Sequence, residues 1–170
     1  MSNRSRQFRS ASPLLLLLTL FAGCGPGYEI IEAPADIRLS VWEEAQLYLG
    51  MEYEWGGQDT PKGIDCSGLV VNCYAAAVDG TGYRLLFDDT TAKNLSEQYT
   101  TPMEAPETGD LVFMGEDDTV SHVAILEKTE EGMIWFIDAS SVSGYVEYRS
   151  YETENPKILG YGRILILAPQ

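Results

Sequence analysis

The chain contains one histidine, and its surroundings suggest an imidazole that acts on a thiol. His122 stands at the start of an apolar run, 121–125, and Cys66 lies 56 residues earlier within the segment 65–70. A thiol with an ordinary pKa of about 8.5 is mostly protonated at neutral pH, and an adjacent imidazole makes its nucleophilic thiolate accessible. A lone histidine is more often an ordinary surface or core residue, so the prediction depends on the setting of both side chains.

The segment that begins at Cys66 has the pattern of a helix. Apolar residues recur at the i, i+3 and i+4 spacing of one helix face: Leu69, Val70, Cys73, Tyr74 and Ala77. Asp65 is a favourable N-cap, and Asp79-Gly80 is a favourable stop. Cys66 would then lie in the first turn, where unpaired N–H groups and the helix dipole favour a thiolate and could stabilise an oxyanion. The alternative is a small buried cysteine at a helix start, and Cys73 is interpreted as packing.

Four short segments follow one another along the chain. They are Tyr-Glu-Trp-Gly-Gly at 53–57, Gly-Ile-Asp-Cys-Ser-Gly-Leu-Val at 63–70, Gly-Asp-Leu-Val-Phe at 109–113 and His-Val-Ala-Ile at 122–125. Their order and spacing resemble the NlpC family of bacterial cell-wall cysteine peptidases, over about residues 37–165. The first two segments together are specific, whereas Gly-Asp-Leu alone is weak. The resemblance implies an α+β, papain-like fold, with N-terminal helices packed on an antiparallel meander sheet, and hydrolysis of amide bonds in peptidoglycan stem peptides.

The resemblance also implies the roles of individual residues. Cys66 is expected to be the nucleophile and His122 the base, and a third polar residue on the next strand corresponds to Asp138. Many relatives carry histidine at the third position. An aspartate there can hold the imidazole in one orientation and stabilise the imidazolium. The alternative for Asp138 is a strand-end carboxylate in water.

Three further residues are expected to line the substrate cleft by the same resemblance: Tyr53, Asp65 and Ser67. Each has a simpler alternative, since Asp65 and Ser67 can cap the helix and Tyr53 can pack. Trp55 is interpreted as a core anchor for the glycine loop.

The turn between two apolar runs, 122–127 and 133–138, bears on the pairing of His122 with Asp138. If paired positions sum to 260, the two residues lie opposite each other. If they sum to 262, the residues are diagonal neighbours on one face, about 7–8 Å apart. An odd sum would place them on opposite faces. The sequence alone leaves the turn open.

The first 23 residues predict export. Three arginines precede an apolar run at 14–20, and Leu-Phe-Ala-Gly-Cys follows at 20–24. The run is shorter than the ~20 residues that cross a bilayer, so we expect a signal peptide. The arrangement resembles a lipoprotein signal, with Cys24 lipidated, and Gly25 favours the periplasmic face of the outer membrane. The alternative is an ordinary cleaved signal. We therefore predict a signal at 1–23, a tether at 24–35 and one catalytic domain at 36–170.

Composition narrows the class of protein. Without residues 1–23, the chain keeps 147 residues, enough for a single domain, with 8 basic and 26 acidic side chains and a net charge of −18. This charge excludes nucleic acid as a partner and disfavours electrostatic docking to anionic lipid. Cys66 and Cys73 would lie about 10.5 Å apart along one helix, too far for a disulfide. One histidine and separated cysteines cannot build a zinc site, and we expect no cofactor and a monomer.

Periodicity predicts helices first and strands afterwards, the order of an α+β fold. The helices are predicted at about 37–49, 66–78 and 90–98, the first capped by Asp36 and ended by Gly50, with Ile37, Val41, Ala45 and Leu49 on one face. The strands are predicted at 110–114, 121–127, 133–138, about 145–149 and 158–167.

The sequence thus supports a lipid-anchored cysteine endopeptidase that acts on peptidoglycan peptides. By resemblance, the favoured bond joins γ-D-glutamate to the diamino acid of the stem. An amidase or acyltransferase on the same scaffold is one alternative. A catalytically silent lipoprotein that binds the envelope is another, although an intact set of Cys66, His122 and Asp138 argues against it.

Overall fold

The computed structural model describes residues 27–58 and 61–170, and these residues form three helices and eight strands. The helices are α1 (Ala35–Leu47), α2 (Cys66–Val78) and α3 (Ala92–Gln98). The strands are β1 (Tyr28–Glu32), β2 (Arg84–Leu85), β3 (Thr100–Pro102), β4 (Leu111–Glu116), β5 (Thr119–Glu130), β6 (Met133–Ser140), β7 (Tyr145–Glu152) and β8 (Ile158–Pro169). The signal sequence and Cys24 lie outside the described residues.

The strands form one sheet in the order β1-β8-β4-β5-β6-β7, with β2 and β3 also paired to β8. Strands β4 to β7 are consecutive neighbours, and each ladder between named strands is antiparallel. The predicted α+β fold, with helices packed on an antiparallel meander, is therefore confirmed. The last strand departs from the meander order, because β8 lies beside β4 and not beside β7.

Strand alternation gives the sheet two buried faces. On β5, Val123 and Ile125 belong to the large core that the helices α1 and α2 cover. Ala124 and Leu126 point the other way, into a smaller cluster with Phe136 of β6. Successive side chains of a strand point to opposite faces, so His122 and Asp138 share the face of this smaller cluster.

The first helix begins earlier than the sequence predicted. Pro34 is the N-cap residue, and its φ of −62° suits a helix start, whereas Asp36 lies within the first turn of α1. Ile37, Val41 and Ala45 are buried, as their spacing predicts. Leu49 is 46% exposed and lies beyond the end of α1 at Leu47, so, contrary to the prediction, it does not belong to the buried face of the helix.

The segment predicted as a tether is partly built into the sheet. Tyr28–Glu32 forms β1 and pairs with β8 from Tyr28↔Pro169 to Glu32↔Leu165. This edge strand leaves Ile30 61% exposed, so it lacks the alternation that would mark it in the sequence. The domain therefore includes residues 28–35, which the predicted boundary at residue 36 left out.

A buried charge cluster joins the first helix to the sheet. Asp110 is 0% exposed and accepts two 2.8 Å hydrogen bonds from the Arg163 guanidinium, while Arg38 approaches it at 3.5 Å. Glu107 accepts a hydrogen bond from Arg38 and another from Arg163. Buried charges are stable only when they are paired, so Gly-Asp-Leu at 109–111 serves the fold.

No helix among residues 27–58 and 61–170 is long and apolar enough to cross a membrane.

Candidate active site

Helix α2 begins at Cys66, as the sequence predicts. Asp65 is the N-cap, and its Oδ1 accepts hydrogen bonds from Gly68 N at 2.7 Å and from Ser67 Oγ at 2.9 Å. Its Oδ2 accepts a hydrogen bond from Gly56 N at 3.0 Å, so one carboxylate both starts the helix and holds the glycine loop. The Cys66 side chain thereby lies at the positive end of the helix dipole, which stabilises a thiolate.

The imidazole of His122 bridges Cys66 and Asp138. Its Nε2 donates to Asp138 Oδ2 at 2.6 Å, which leaves Nδ1 for the hydrogen bond with the Cys66 side chain. Burial lowers the pKa of His122, but the hydrogen bonds and charges of Asp138 and Cys66 outweigh burial and raise it from 6.5 to about 9. The site therefore favours an imidazolium beside the sulfur at neutral pH.

The β5–β6 register explains how His122 reaches Asp138. A two-residue turn, Glu131-Gly132, has positive φ at both positions and pairs Glu130 with Met133, an odd sum of 263. A bulge between Leu126 and Lys128 then shifts the register to Ile125↔Ile137, a sum of 262. His122 and Asp138 thus become diagonal neighbours on one face, one of the arrangements that the sequence allows. The bulge restores the parity that the turn alone would destroy.

Asp138 is fully buried, which excludes the predicted alternative of a strand-end carboxylate in water. It also contacts a residue that sequence reasoning missed. Arg149 on β7 donates from Nε to Asp138 Oδ1 at 2.9 Å and from Nη2 to Oδ2. An arginine in the strand that follows Asp138 could have suggested this contact, but only if the register between β6 and β7 had been known.

The three residues expected to line the cleft lie around Cys66. Tyr53, Asp65 and Ser67 all line the same cleft as the Cys66 and His122 side chains. Burial and then the charges of Cys66 and Asp65 raise the pKa of Tyr53, so its hydroxyl remains a donor at neutral pH. Ser67 is buried against Asp65. The cap predicted as the alternative is real for Asp65 and coexists with its place in the cleft, whereas the Ser67 hydroxyl does not cap the helix and donates to the Asp65 carboxylate.

The interpretation of Trp55 as a core anchor is wrong. Its side chain is 86% exposed and lies at the edge of the cleft. The glycine loop is held through its backbone, by the hydrogen bond from Gly56 N to Asp65, and not by the indole. The exposed ring instead offers an apolar surface beside the reacting groups.

The cleft has a volume of about 610 Å³ and is open to solvent. Its walls come from the loop before α2, the start of α3, the β4–β5 hairpin and the ends of β6 and β7. They include Tyr53, Trp55, Thr91, Met114, Glu116, Ser140, Val142, Arg149, Tyr151 and Lys157. The residues that the structure describes contain no cluster of three or more side chains suited to a metal ion.

Cys73 lies two turns along α2 and is completely buried, in agreement with its predicted packing role. Neither Cys66 nor Cys73 takes part in a disulfide.

Comparison with known proteins gives the family. Residues 50–158 match the model of the NlpC/P60 family. A bifunctional muramidase/DL-endopeptidase CwlT of Bacillus subtilis is 34% identical over 98 residues, which cover 56% of this chain and 28% of the Bacillus protein. The chain thus spans less than a third of that relative.

Two solved structures share the fold. The NlpC/P60 domain of the peptidoglycan hydrolase SagA is 27% identical with a TM-score of 0.52, over 74% of this chain and 97% of that domain. A lipoprotein-like NLP/P60 protein of Staphylococcus aureus is 24% identical with a TM-score of 0.56, over 83% of this chain and 44% of the other. The matched residues include Cys66, His122 and Asp138 within the family's range, and the chain belongs to the NlpC/P60 family.

Proposed function

We propose that this protein is a cysteine peptidase that hydrolyses amide bonds in peptidoglycan stem peptides. The observation that carries the proposal is the contact of Asp138 with His122 and of His122 with Cys66 in one open cleft. Membership of the NlpC/P60 family supports it, as does similarity to two relatives, a DL-endopeptidase and a peptidoglycan hydrolase.

The geometry supports an acyl-transfer mechanism in two halves. The Cys66 thiolate attacks the scissile carbonyl carbon, and backbone N–H groups at the start of α2 stabilise the oxyanion that forms. His122 then gives its Nδ1 proton to the departing amine, which leaves a thioester on Cys66. A water molecule, deprotonated by His122, attacks the thioester and releases the carboxylic acid and the thiolate. Asp138 keeps the imidazole oriented through both halves.

The proposed bond joins γ-D-glutamate to the diamino acid of the stem. Support comes from the resemblance of the motifs to the family and from similarity to the Bacillus relative, which is a DL-endopeptidase. An amidase or an acyltransferase would use the same thioester chemistry, and the silent envelope-binding protein would use none of it. The Asp138–His122–Cys66 contacts favour the catalytic alternatives over the silent one.

We also propose that lipid on Cys24 anchors the protein, at the periplasmic face of the outer membrane, as a monomer. The support is the sequence alone: three arginines, an apolar run and a cysteine at the cleavage site. Fractionation tests it, because the unaltered protein should partition with membranes and Cys24→Ser should not. An unaltered protein found only in the soluble envelope fraction would exclude the anchor and leave the peptidase proposal intact.

Digestion of purified cell wall tests the activity. The unaltered protein should release fragments whose new ends are a γ-D-glutamate carboxyl and a free diamino acid amine, identified by mass. An amidase would instead release whole stem peptides, and an acyltransferase would release peptides enlarged by an acceptor amine. Cys66→Ala should release nothing, while the matched control Cys73→Ala should cut normally. Equal digestion by Cys66→Ala would contradict the mechanism, and no digestion by the unaltered protein would favour the silent alternative.

A further inference from the structure

Arg149 reaches Asp138 from the neighbouring strand. The β6–β7 register pairs Asp138 with Glu147 and Phe136 with Arg149. Arg149 is therefore a diagonal neighbour of Asp138 on the same face of the sheet. Its Nε and Nη2 donate to the two carboxylate oxygens separately, so the contact is bidentate. The oxygen that accepts from Nη2 is the same Oδ2 that accepts from His122.

The guanidinium is itself held firmly in place. It lies 5.6 Å from the ring centroid of Phe136 and 5.6 Å from that of Tyr151. Its Nη1 is 3.4 Å from the Tyr151 hydroxyl oxygen. Only 25% of the Arg149 side chain is exposed, and the exposed part lines the cleft. Two aromatic contacts and three hydrogen bonds thus restrain the guanidinium, unlike that of a solvent-exposed arginine.

We propose that Arg149 is a positioning residue, which holds the Asp138 carboxylate so that Asp138 in turn fixes the imidazole of His122. The inference rests on the proposed Cys66–His122–Asp138 mechanism and adds a fourth member to it. Nothing in the sequence motifs assigns this role to Arg149.

The burial of Asp138 shows why such a residue is needed. Its side chain is 0% exposed, and within the described residues its hydrogen-bond donors are His122 and Arg149. A carboxylate with one donor can rotate about its bonds, whereas a bidentate guanidinium fixes the plane of both oxygens. Oδ2 is thereby kept directed at Nε2 of His122. A lysine ammonium carries the same charge but cannot form the two parallel bonds.

Charge and geometry have different consequences, which makes the role testable. Asp138 and Cys66 contact the imidazole, and the other charged or titratable groups that face its cleft are Tyr53, Asp65, Glu116, Arg149, Tyr151 and Lys157. Loss of the positive charge of Arg149 favours protonation nearby, so the pKa of His122 should rise above its value of about 9. Loss of the bidentate geometry should lower the rate without this change in pKa.

The experiment compares Arg149→Met, Arg149→Lys and the control Arg84→Gln. Arg84 is exposed and contacts Tyr28 on the far side of α2 from the catalytic cleft, so Arg84→Gln removes a charge without touching Asp138. Because His122 is the only histidine, NMR of the imidazole ring reports its pKa without ambiguity. The second readout is kcat/KM against pH, with a muropeptide released from purified cell wall as substrate.

We expect Arg149→Met to lower the maximal kcat/KM by about 10- to 100-fold, by analogy with the loss of outer-shell groups that orient metal-bound histidines. Its His122 pKa and the alkaline limb of its profile should both move to higher pH. Arg149→Lys should also lose activity, with the pKa close to that of the unaltered protein. Arg84→Gln should change neither quantity.

Several outcomes would overturn the proposal. Unaltered rates in Arg149→Met or in Arg149→Lys would show that the bidentate contact does not position Asp138. An unchanged His122 pKa in Arg149→Met, which loses both the charge and the contact, would show that Arg149 does not act on the imidazole through Asp138, whatever the rate. If Arg149→Met fails to fold, the rate of Arg149→Lys decides. If the unaltered protein cuts no wall peptide, the proposed function fails, and the His122 titration still tests the Arg149 contact by itself.

Discussion

Asp138→Asn separates the charge of the third residue from its shape. The substitution keeps the size of the side chain but removes its negative charge and replaces one acceptor oxygen by an NH₂ donor. Both partners of Asp138, Arg149 and the His122 Nε2, are donors. One of them must therefore face another donor in the variant, and the support for a protonated imidazole is lost.

The size of the effect follows from the pKa of His122. The value of about 9 lies above the ordinary 6.5, and each pKa unit corresponds to about 1.4 kcal/mol. The surroundings therefore favour the imidazolium by about 3 kcal/mol, with burial opposing and Asp138 and Cys66 supplying the gain. A loss equal to this net preference would correspond to about 300-fold. Since Cys66 shares the role, we expect kcat/KM to fall by about 100-fold.

The pH profile gives the sign of the change. The reactive pair is a thiolate with an imidazolium, so activity is lost as pH rises through the pKa of His122. In the unaltered protein this alkaline limb should lie near pH 9. In Asp138→Asn the raising effect of the carboxylate is gone, and the limb should move toward 6.5.

The assay is kcat/KM from about pH 5 to 10 on a purified muropeptide. Asp79→Asn is the matched control, because Asp79 is exposed at the end of α2, away from the catalytic cleft. Asp138→Ala should lose more activity than Asp138→Asn, whereas Asp138→His should keep part of it, because the family resemblance implies that histidine can take the third position. An unchanged rate and an unchanged alkaline limb in all three variants would refute the reasoning and remove Asp138 from the site.

Two stability predictions follow from the fold. Gly109 has a φ of +83°, and a Cβ there would lie 2.2 Å from the Arg38 carbonyl oxygen. Gly109→Ala should therefore lower the free energy of unfolding, measured in urea, by at least about 3 kcal/mol. Gly80→Ala is its control, with a φ of +71° but open space, and should cost about 1 kcal/mol; equal losses would exclude the steric account. Cys73→Ala should lower the free energy of unfolding by about 1–2 kcal/mol, because Cys73 is fully buried. Loss of peptidase activity in a Cys73→Ala protein that remains folded would contradict its packing role.

The sequence predicted the elements whose residues carry their own signals. Helix α2 has a capping aspartate and a continuous apolar face, and it starts at Cys66 as predicted. Strand β1 has no such signal, because an edge strand with an exposed Ile30 is defined by its pairing with β8. The exposed Trp55 was misplaced for a related reason, since burial of an aromatic residue on a loop depends on the whole surface around it.

The site was predictable only as far as its strands could be aligned. Cys66, His122 and Asp138 were identified from motifs, yet their meeting depends on a two-residue turn and a bulge before Lys128 that cancel each other's effect on parity. Neither feature is encoded by hydrophobic alternation. Arg149 was missed because its diagonal relation to Asp138 requires the β6–β7 register as well.

The central claim is that His122 makes Cys66 a reactive nucleophile, and alkylation tests it most directly. The rate of iodoacetamide modification of Cys66, followed by mass from about pH 6 to 9, should be high and nearly constant at the acidic end in the unaltered protein. In His122→Gln the rate should be low near neutral pH and should rise with pH, as for an ordinary thiol. Identical rate profiles for the two proteins would contradict the claim that the imidazole activates the cysteine.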